Sequence, residues 1–485
     1  MASQNHAQHW INGEWVNTGK TRETTNPSTG EVLGTYVKGG KEEAELAIKA
    51  AQEAFANTDW KTNRELRHQV LLEMAEAFEA RKKDLATMIA TENGKLFAEA
   101  SFETEFVKPG LYFSAATIYT DYGRAAEWGA GKYSMLVKEP VGVVGISTPW
   151  NSPLALLIRS LAPALAAGCT TVLKMPDQTA LTNGLIAEIL ASVKSLPKGV
   201  INMVTGGHEV LEPLVTHPEV PVISFTGSTS TGRALQKESA PYLKRLSLEL
   251  GGKTPLIVFD DADIDALIPK AVKALTVFSG QFCMTGSRIL VQKGVADEVR
   301  KRLSEELAKV KVGPAMDPQY DMGALIDMRS VERVNGMVED AIAKGAKALV
   351  RGGPYTEGEL TKGAFYRPTL LEVNDSQADI VQSEVFGPVL VLEEFETERE
   401  AVEKANATEY GLAASIWTRD VDRPLRVARE IEAGTIWIND WVVMRDEFEE
   451  GGYKQSGVGR QRGMTSINEY LEVKHIVLQP GVINQ

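Results

Sequence analysis

The run Val141-Gly-Val-Val-Gly-Ile-Ser-Thr-Pro-Trp-Asn-Ser-Pro153 decides the fold. A short β-type stretch, Val141 to Ile146, passes into a turn-rich loop from Ser147 to Pro153, and an apolar helix follows to Ala167. The same unit recurs downstream. Thr171-Val-Leu-Lys174 reads as a second strand, residues 182–193 as a helix, and residues 199–204 as a third strand. Val222-Ile-Ser-Phe225 makes a fourth, running into Thr226-Gly-Ser-Thr-Ser-Thr-Gly232 and a helix from Arg233. Strands alternating with helices over such short distances predict a parallel sheet covered on both faces. Ligands of such sheets bind at the carboxyl ends of the strands.

Outward from this centre, residues 41–56 and 64–93 carry apolar side chains at helical spacing and read as scaffold helices. A second α/β region follows Cys283, with helices over 297–310 and 331–347, strands over 347–350 and 435–439, and a stretch 365–372 that leads to Asp379-Ile-Val-Gln-Ser-Glu384. Residues 474–478 form a possible edge strand. A chain of 485 residues is too long for one ordinary core, and its length suggests roughly three domain-sized units. Hydrophobic content of 43% and charged content of 24% are those of a soluble globular protein. The formal charge of −13, with no basic patch in the sequence, argues against nucleic-acid binding. Two cysteines, Cys169 and Cys283, imply no disulfide framework and fit a reducing compartment. The polar N-terminus lacks a signal layout, and the longest apolar run, 153–169, holds Arg159 and two prolines; the expectation is a cytoplasmic protein without a membrane span.

Two motif readings fail on a single residue each. His208-Glu209 opens a zinc-protease pattern, but position 212 is Glu, so no metal site is expected. Gly252-Lys253-Thr254 resembles the end of a phosphate-binding P-loop, but the first glycine of that motif falls on Ser247.

The chemistry-bearing stretch opens with Ser247-Leu-Glu-Leu-Gly-Gly-Lys253 and closes with Gly280-Gln-Phe-Cys283. A thiol is a good covalent catalyst when a nearby group activates it or primes the water that releases the product. Glu249 and Cys283 are candidates for such a pair, set against the plainer alternatives of an inert buried thiol and a solvated surface acid. The glycines beside both residues favour a close backbone approach. Gly227 to Gly232, between a strand and a helix, suits a pyrophosphate at a helix N-terminus and equally a turn capped by Ser228 or Thr229. Glu384, among apolar residues before Gly387-Pro388, is a cap or a hydroxyl-binding group.

Together these pieces resemble the aldehyde dehydrogenase superfamily. The anchors, in that family's order, are Pro149-Trp-Asn151, Lys174 to Thr179, Phe225-Thr-Gly-Ser to Gly232, Leu248-Glu-Leu-Gly-Gly-Lys253, Gly280-Gln-Phe-Cys283, Glu384-Val-Phe-Gly-Pro388 and Gly451-Gly-Tyr-Lys-Gln-Ser-Gly457. The resemblance implies an α/β chain in three parts. A Rossmann-like parallel-sheet, dinucleotide-binding domain would take residues 1–120 and 141–250, an α/β catalytic domain 251–455, and a small β oligomerisation arm 121–140 and 456–485. A homodimer or homotetramer is implied.

By the same likeness Cys283 is the nucleophile, the Asn151 amide and the Cys283 backbone N–H hold the oxyanion, and Glu249 activates the water that hydrolyses a thioester. The cofactor is expected at Ser147, Trp150, Lys174, Asp177, Gly207, Gly227, Ser228, Gly232, Leu250, Glu384 and Phe386. Lys174 and Asp177 would read the adenosine ribose and Glu384 the nicotinamide ribose. Asp177 is one methylene shorter than the family's usual Glu; a carboxylate there favours NAD and leaves NADP possible. Substrate contacts are expected from Arg159, Phe282 and Met284. The last two suit an aromatic or other apolar aldehyde, the preferred expectation. Arg159 resembles half of a carboxylate clamp whose other half would fall on Val277, which leaves an acidic semialdehyde as the alternative. The family's usual Phe and Lys are Ser152 and Ser160 here, and Glu447-Phe-Glu-Glu-Gly-Gly452 replaces its Pro-Phe-Gly-Gly edge. A coenzyme A-acylating enzyme is disfavoured by Glu249, and a non-catalytic binding protein by the retention of all three chemical groups.

Overall fold

Five strands rich in Val, Ile and Leu, buried along nearly their whole length, explain the centre of the molecule. They are Val143–Ser147, Thr170–Met175, Ile201–Thr205, Val222–Thr226 and Arg245–Glu249. In this computed structural model, which describes residues 5–120 and 122–480, they lie parallel. Across the sheet the order is Arg245–Glu249, Val222–Thr226, Val143–Ser147, Thr170–Met175, Ile201–Thr205. Side chains alternate between faces. Val143, Val172 and Val204 pack with helices Lys41–Asn57 and His208–Thr216. Val144, Leu173 and Met203 pack with helices Arg64–Ala80, Val107–Thr120, Ala155–Ala167 and Ala180–Ala191. Each fully buried aliphatic side chain contributes about 1.5–3 kcal/mol. Chain order reverses between Val143–Ser147 and Val222–Thr226, so a crevice opens there at the strands' carboxyl ends.

The helical segment expected over 64–93 is two helices, Arg64–Ala80 and Lys82–Asn93, broken at Arg81, whose N–H turns back to the Phe78 and Glu79 carbonyls. The helix expected from Arg233 starts at Thr229 instead, because the Ser228 hydroxyl caps it by accepting from the Thr231 N–H at 3.3 Å.

A second sheet carries the rest of the chain. Its order is Lys347–Val350, Thr369–Glu372, Val389–Phe395, Gly286–Gln292, Thr254–Val258, Ala413–Trp417, Thr435–Ile438, parallel except for the first pair. The two sheets succeed one another directly, Glu249 ending the first and Thr254 opening the second. Gly251 and Gly252 therefore cross between them.

Arg124–Gly129, Lys132–Pro140 and Leu471–Leu478 form a separate antiparallel sheet, the region expected as the arm. The expected arm over 456–485 is narrower in pairing. Gly457–Val458 instead pair antiparallel with Leu248 and Glu249, covering an otherwise bare edge of the first sheet. Ser466–Tyr470 form a short helical turn with Ile467 and Tyr470 in the core against Ala155–Ala167. Residues 1–4, 121 and 481–485, inside the expected boundaries, lie outside the described residues. Among the described residues no helix is long and apolar enough to cross a membrane, and no cluster of side chains is suited to a metal ion.

Candidate active site

Cys283 stands on an irregular turn between helix Ile264–Thr276 and strand Gly286–Gln292. Phe278, Ser279 and Gly280 all have positive φ, at 50°, 57° and 72°. At Gly280 a side chain is impossible for a second reason: its Cβ would lie 2.4 Å from the Gly387 backbone. Gly252 is equally constrained, since a Cβ there would lie 2.5 Å from the Cys283 carbonyl oxygen. The two glycine motifs around Glu249 and Cys283 thus press one backbone against the other. Burial pushes the Cys283 thiol up to about 12; Arg159 draws it down, and Glu384, Glu249 and Glu450 oppose that. Among the described residues the Cys283 backbone N–H has no acceptor, which leaves a free donor beside the sulfur.

Asn151 follows the Val143–Ser147 strand and is buried. Its Nδ2 donates to the Gln281 carbonyl at 3.0 Å, which ties the amide to the nucleophile's turn and leaves its second N–H for another acceptor. Behind it Lys95 donates to the Asn151 carbonyl and to Glu103 Oε2 at 2.8 Å, and its ammonium lies 3.8 Å from the Phe278 ring centroid. Glu99 Oε1 accepts from the Phe278 N–H at 3.2 Å. These supports were not expected from the sequence. The available signal was a pair of acids four residues apart on the Phe97–Glu105 helix, a spacing that most often marks a solvated face.

Glu249 ends the Arg245–Glu249 strand at 3% exposure, and its Oε1 has no hydrogen-bond partner. Burial raises its carboxyl to about 7, with Arg159 and Arg460 pulling down and Glu450 pushing up. An acid titrating near neutrality is matched to general-base work. Arg159, on helix Ala155–Ala167, donates from Nη2 to Thr226 Oγ1 at 3.1 Å and faces Glu450 at 3.9 Å.

Of the expected cofactor residues, those from Ser147 to Leu250 stand along the carboxyl ends of the first sheet, and Glu384 and Phe386 come from the segment before strand Val389–Phe395 of the second. Ser147 closes one strand, and Trp150 meets Phe386 edge-on with centroids 5.5 Å apart. Lys174 lies near the end of the next strand, Asp177 opens the short helical turn Asp177–Thr179 that follows it, and Gly207 caps helix His208–Thr216. Gly227 and Ser228 precede helix Thr229–Ser239, and Gly232 lies against the Leu250 side chain. Glu384 accepts from the Gly252 N–H at 3.1 Å, and burial raises it to about 7. Arg333 fixes the Val385 and Phe386 carbonyls.

The chain's own groups fit a dinucleotide. The N–H groups of Ser228, Thr229 and Ser230 have no acceptor among the described residues, a cradle for phosphate oxygens. Asp177 Oδ1 is a buried acceptor without a donor. Lys38, also missed in the sequence, lies 3.4 Å from Asp177 and 3.2 Å from Glu209, brought from a strand of a separate small sheet. Burial lowers the Lys174 ammonium to about 8.

A cavity of about 370 Å³ opens onto the sulfur. Phe102, Phe106, Phe278, Phe282, Met284 and Trp441 make much of its wall, and Phe282 packs edge-on between Phe278 and Trp441. Arg159, Glu450 and Arg462 supply a charged strip. Of the expected substrate contacts, Arg159, Phe282 and Met284 all line this cavity; Trp441, Glu450 and Arg462 come from a loop with no periodicity to reveal them.

A half-buried thiol open to a cavity, with a free N–H beside it, a carboxyl titrating near 7 and a dinucleotide crevice define the class of thiol-based oxidoreductases. The aldehyde dehydrogenase family model matches residues 15–476, and the chain belongs to that family, whose members are NAD(P)-dependent. It is 36% identical over 490 residues to betaine aldehyde dehydrogenase of Bacillus subtilis, covering 98% of each chain. It is 38% identical to glutarate-semialdehyde dehydrogenase of Pseudomonas putida, covering 97% of each. The crystal structure of Staphylococcus aureus betaine aldehyde dehydrogenase with NAD+ superposes with a TM-score of 0.95 at 37% identity, covering 99% of this chain and 96% of that one.

Proposed function

We propose that the protein oxidises an uncharged aromatic or other apolar aldehyde to its carboxylic acid with NAD, by way of a thioester that water hydrolyses. The observation that carries this reading is the apolar cavity closed by Cys283, beside the free Cys283 N–H and the Asn151 amide. Cys283 Sγ bonds to the aldehyde carbon while its proton passes by way of water to the Glu249 carboxylate, which returns it to solvent before the hydrolytic step. The carbonyl oxygen, becoming an anion, accepts from the Cys283 N–H and from Asn151 Nδ2. Bound NAD supplies the two-electron acceptor that makes the adduct a thioester. Glu249 then takes a proton from water, the resulting hydroxide adds to the acyl carbon, and the sulfur leaves.

Ser228, Thr229 and Ser230 would hold the pyrophosphate, Asp177 with Lys174 the adenosine ribose, and Glu384 the nicotinamide ribose. NAD is supported by the Asp177 carboxylate; Lys38, which pairs with it, softens the rejection of a 2′-phosphate. The exposed Val473, Ile476, Val477 and Leu478 of the arm sheet support assembly into a homodimer or homotetramer. The two cysteines, both free, support a cytoplasmic setting. The division into 1–120 with 141–250, 251–455, and an arm over 121–140 with 456–485 is part of the same proposal, with Gly457–Val458 of that last segment paired to the first sheet. A carboxylate-bearing semialdehyde is the second reading, favoured by Arg159 on the cavity wall.

The test is NADH formation across benzaldehyde-like, aliphatic, trimethylammonium and carboxylate-bearing aldehydes, with acid as product whether or not coenzyme A is added. Cys283→Ala is expected to form no NADH with any of them. Turnover by that variant would overturn the assignment.

A further inference from the structure

One strip of the cavity carries charge that the proposed reaction does not consume. Arg159 projects from helix Ala155–Ala167 and Glu450 from the loop before Gly451; their side chains are 6% and 8% exposed and 3.9 Å apart. The same Glu450 oxygen, Oε2, accepts from Arg462 Nε at 3.1 Å, and Arg462 Nη1 bonds Asp446 Oδ1. Two cations and two anions therefore close on themselves. Glu450 is also fixed in place by its backbone, which exchanges two hydrogen bonds of 2.8 Å with Gln461.

A guanidinium on an apolar wall is a receptor for a carboxylate, since both charges are poorly solvated there and attract strongly. In this chain the receptor already has a carboxylate beside it. An incoming acid would have to share Arg159 with Glu450 and meet that anion at close range, where like charges are costly. The other carboxylates lining the cavity do not alter this balance: Glu103 is paired with Lys95 and Glu99 with Lys273. Asp446 would still balance Arg462 if Glu450 were neutral, leaving Arg159, among the described residues, with no carboxylate at ion-pair distance and only the more distant Glu249 to oppose it.

We propose that Glu450 is a specificity-determining residue, an internal carboxylate that occupies the anion-reading position of Arg159 and so excludes aldehydes carrying a carboxylate. This rests on the reading of the Cys283 cavity as the aldehyde site. It turns the semialdehyde alternative into a one-residue difference: the receptor for an acidic tail is present and is held closed from within. Uncharged aldehydes are unaffected by that closure, because the balanced strip offers them no net field and the aromatic wall remains.

The experiment compares kcat/KM for succinic semialdehyde with that for butanal, which has the same carbon count and no charge, at pH 8 in wild type, Glu450→Gln, Arg159→Met and the double variant. Wild type is expected to favour butanal by at least about tenfold. Glu450→Gln is expected to raise the semialdehyde-to-butanal ratio by about 30-fold or more, chiefly through a lower KM for the acid. Arg159→Met added to Glu450→Gln is expected to abolish that gain. If Glu450→Gln does not fold, Glu450→Asp, one methylene further from Arg159, replaces it with an expected gain of about fivefold. A ratio that moves less than about threefold in a folded, butanal-active variant overturns the proposal, as does a wild-type preference for the acid. A wild type inactive on butanal, benzaldehyde and the semialdehyde alike would instead sink the aldehyde reading itself.

Discussion

Replacing Glu249 by Gln should make the protein more stable and nearly inactive in the same stroke. The folded protein carries the Glu249 carboxyl from 4.5 to about 7, mainly through burial. At about 1.4 kcal/mol per decade of acidity, keeping that group ionised in the folded state costs about 3 kcal/mol above pH 7. The unfolded chain ionises it near its ordinary value, so the native state binds more protons throughout the interval from 4.5 to about 7. This contribution to stability is fully present below pH 4.5 and is lost as pH rises through 7. Glutamine has no such cost. Glu249→Gln should therefore resist urea better than wild type by roughly 2–3 kcal/mol at pH 8.5, and by less than about 1 kcal/mol at pH 5.

Activity should move the other way. With the base half-ionised near pH 7, wild-type thioester hydrolysis should rise about ninefold from pH 6 to pH 8, from roughly one tenth to nine tenths ionised. Glu249→Gln should release at most one NADH per subunit in a stopped-flow burst and then turn over about 10²–10⁴ times more slowly. Steady turnover above a tenth of the wild-type rate would refute the assigned base. A glutamine variant less stable than wild type at pH 8.5 would refute the electrostatic account of its environment.

Asn151→Ala should lower kcat by about 10²–10³ with little change in NAD affinity by fluorescence titration, because a donor to the developing oxyanion is lost. Lys38→Ala leaves Asp177 without its cation, so the ratio of kcat/KM for NADP to that for NAD should fall by about tenfold; an unchanged ratio would remove Lys38 from cofactor choice. Lys95→Met strands Glu103 in an interior where both side chains are at most 1% exposed. It should cost about 3–5 kcal/mol in urea unfolding and also reduce kcat, since Lys95 braces the Asn151 backbone.

How much was legible in the sequence varied with the range of the interaction. Strand-helix alternation from Val143 to Ser239 is encoded locally, in runs of β-branched residues and helical apolar spacing, so four parallel strands of the first sheet could be anticipated; the fifth, Arg245–Glu249, was not, because only two of its residues are apolar. The helix start at Thr229 was missed by four residues, because a cap is a single hydroxyl rather than a pattern. The loop 456–470 was expected in the arm because it adjoins Leu471–Leu478 in sequence; the free edge of Arg245–Glu249 claims its Gly457–Val458 pair. Glu249, Cys283 and Glu384 were singled out as candidates because glycines stand beside them, and Asn151 only through the family resemblance.

By itself, then, the sequence determined the α/β alternation, the parallel first sheet and the residues able to do covalent chemistry, all of them properties written within a few turns of chain. Tertiary structure alone decided what surrounds those residues. Lys38 reaches Asp177 from another sheet, Lys95 reaches Asn151 across 56 positions, and Glu450 reaches Arg159 from the far end of the chain. Charge-charge energies depend on distance and burial, and neither quantity exists until the chain has folded.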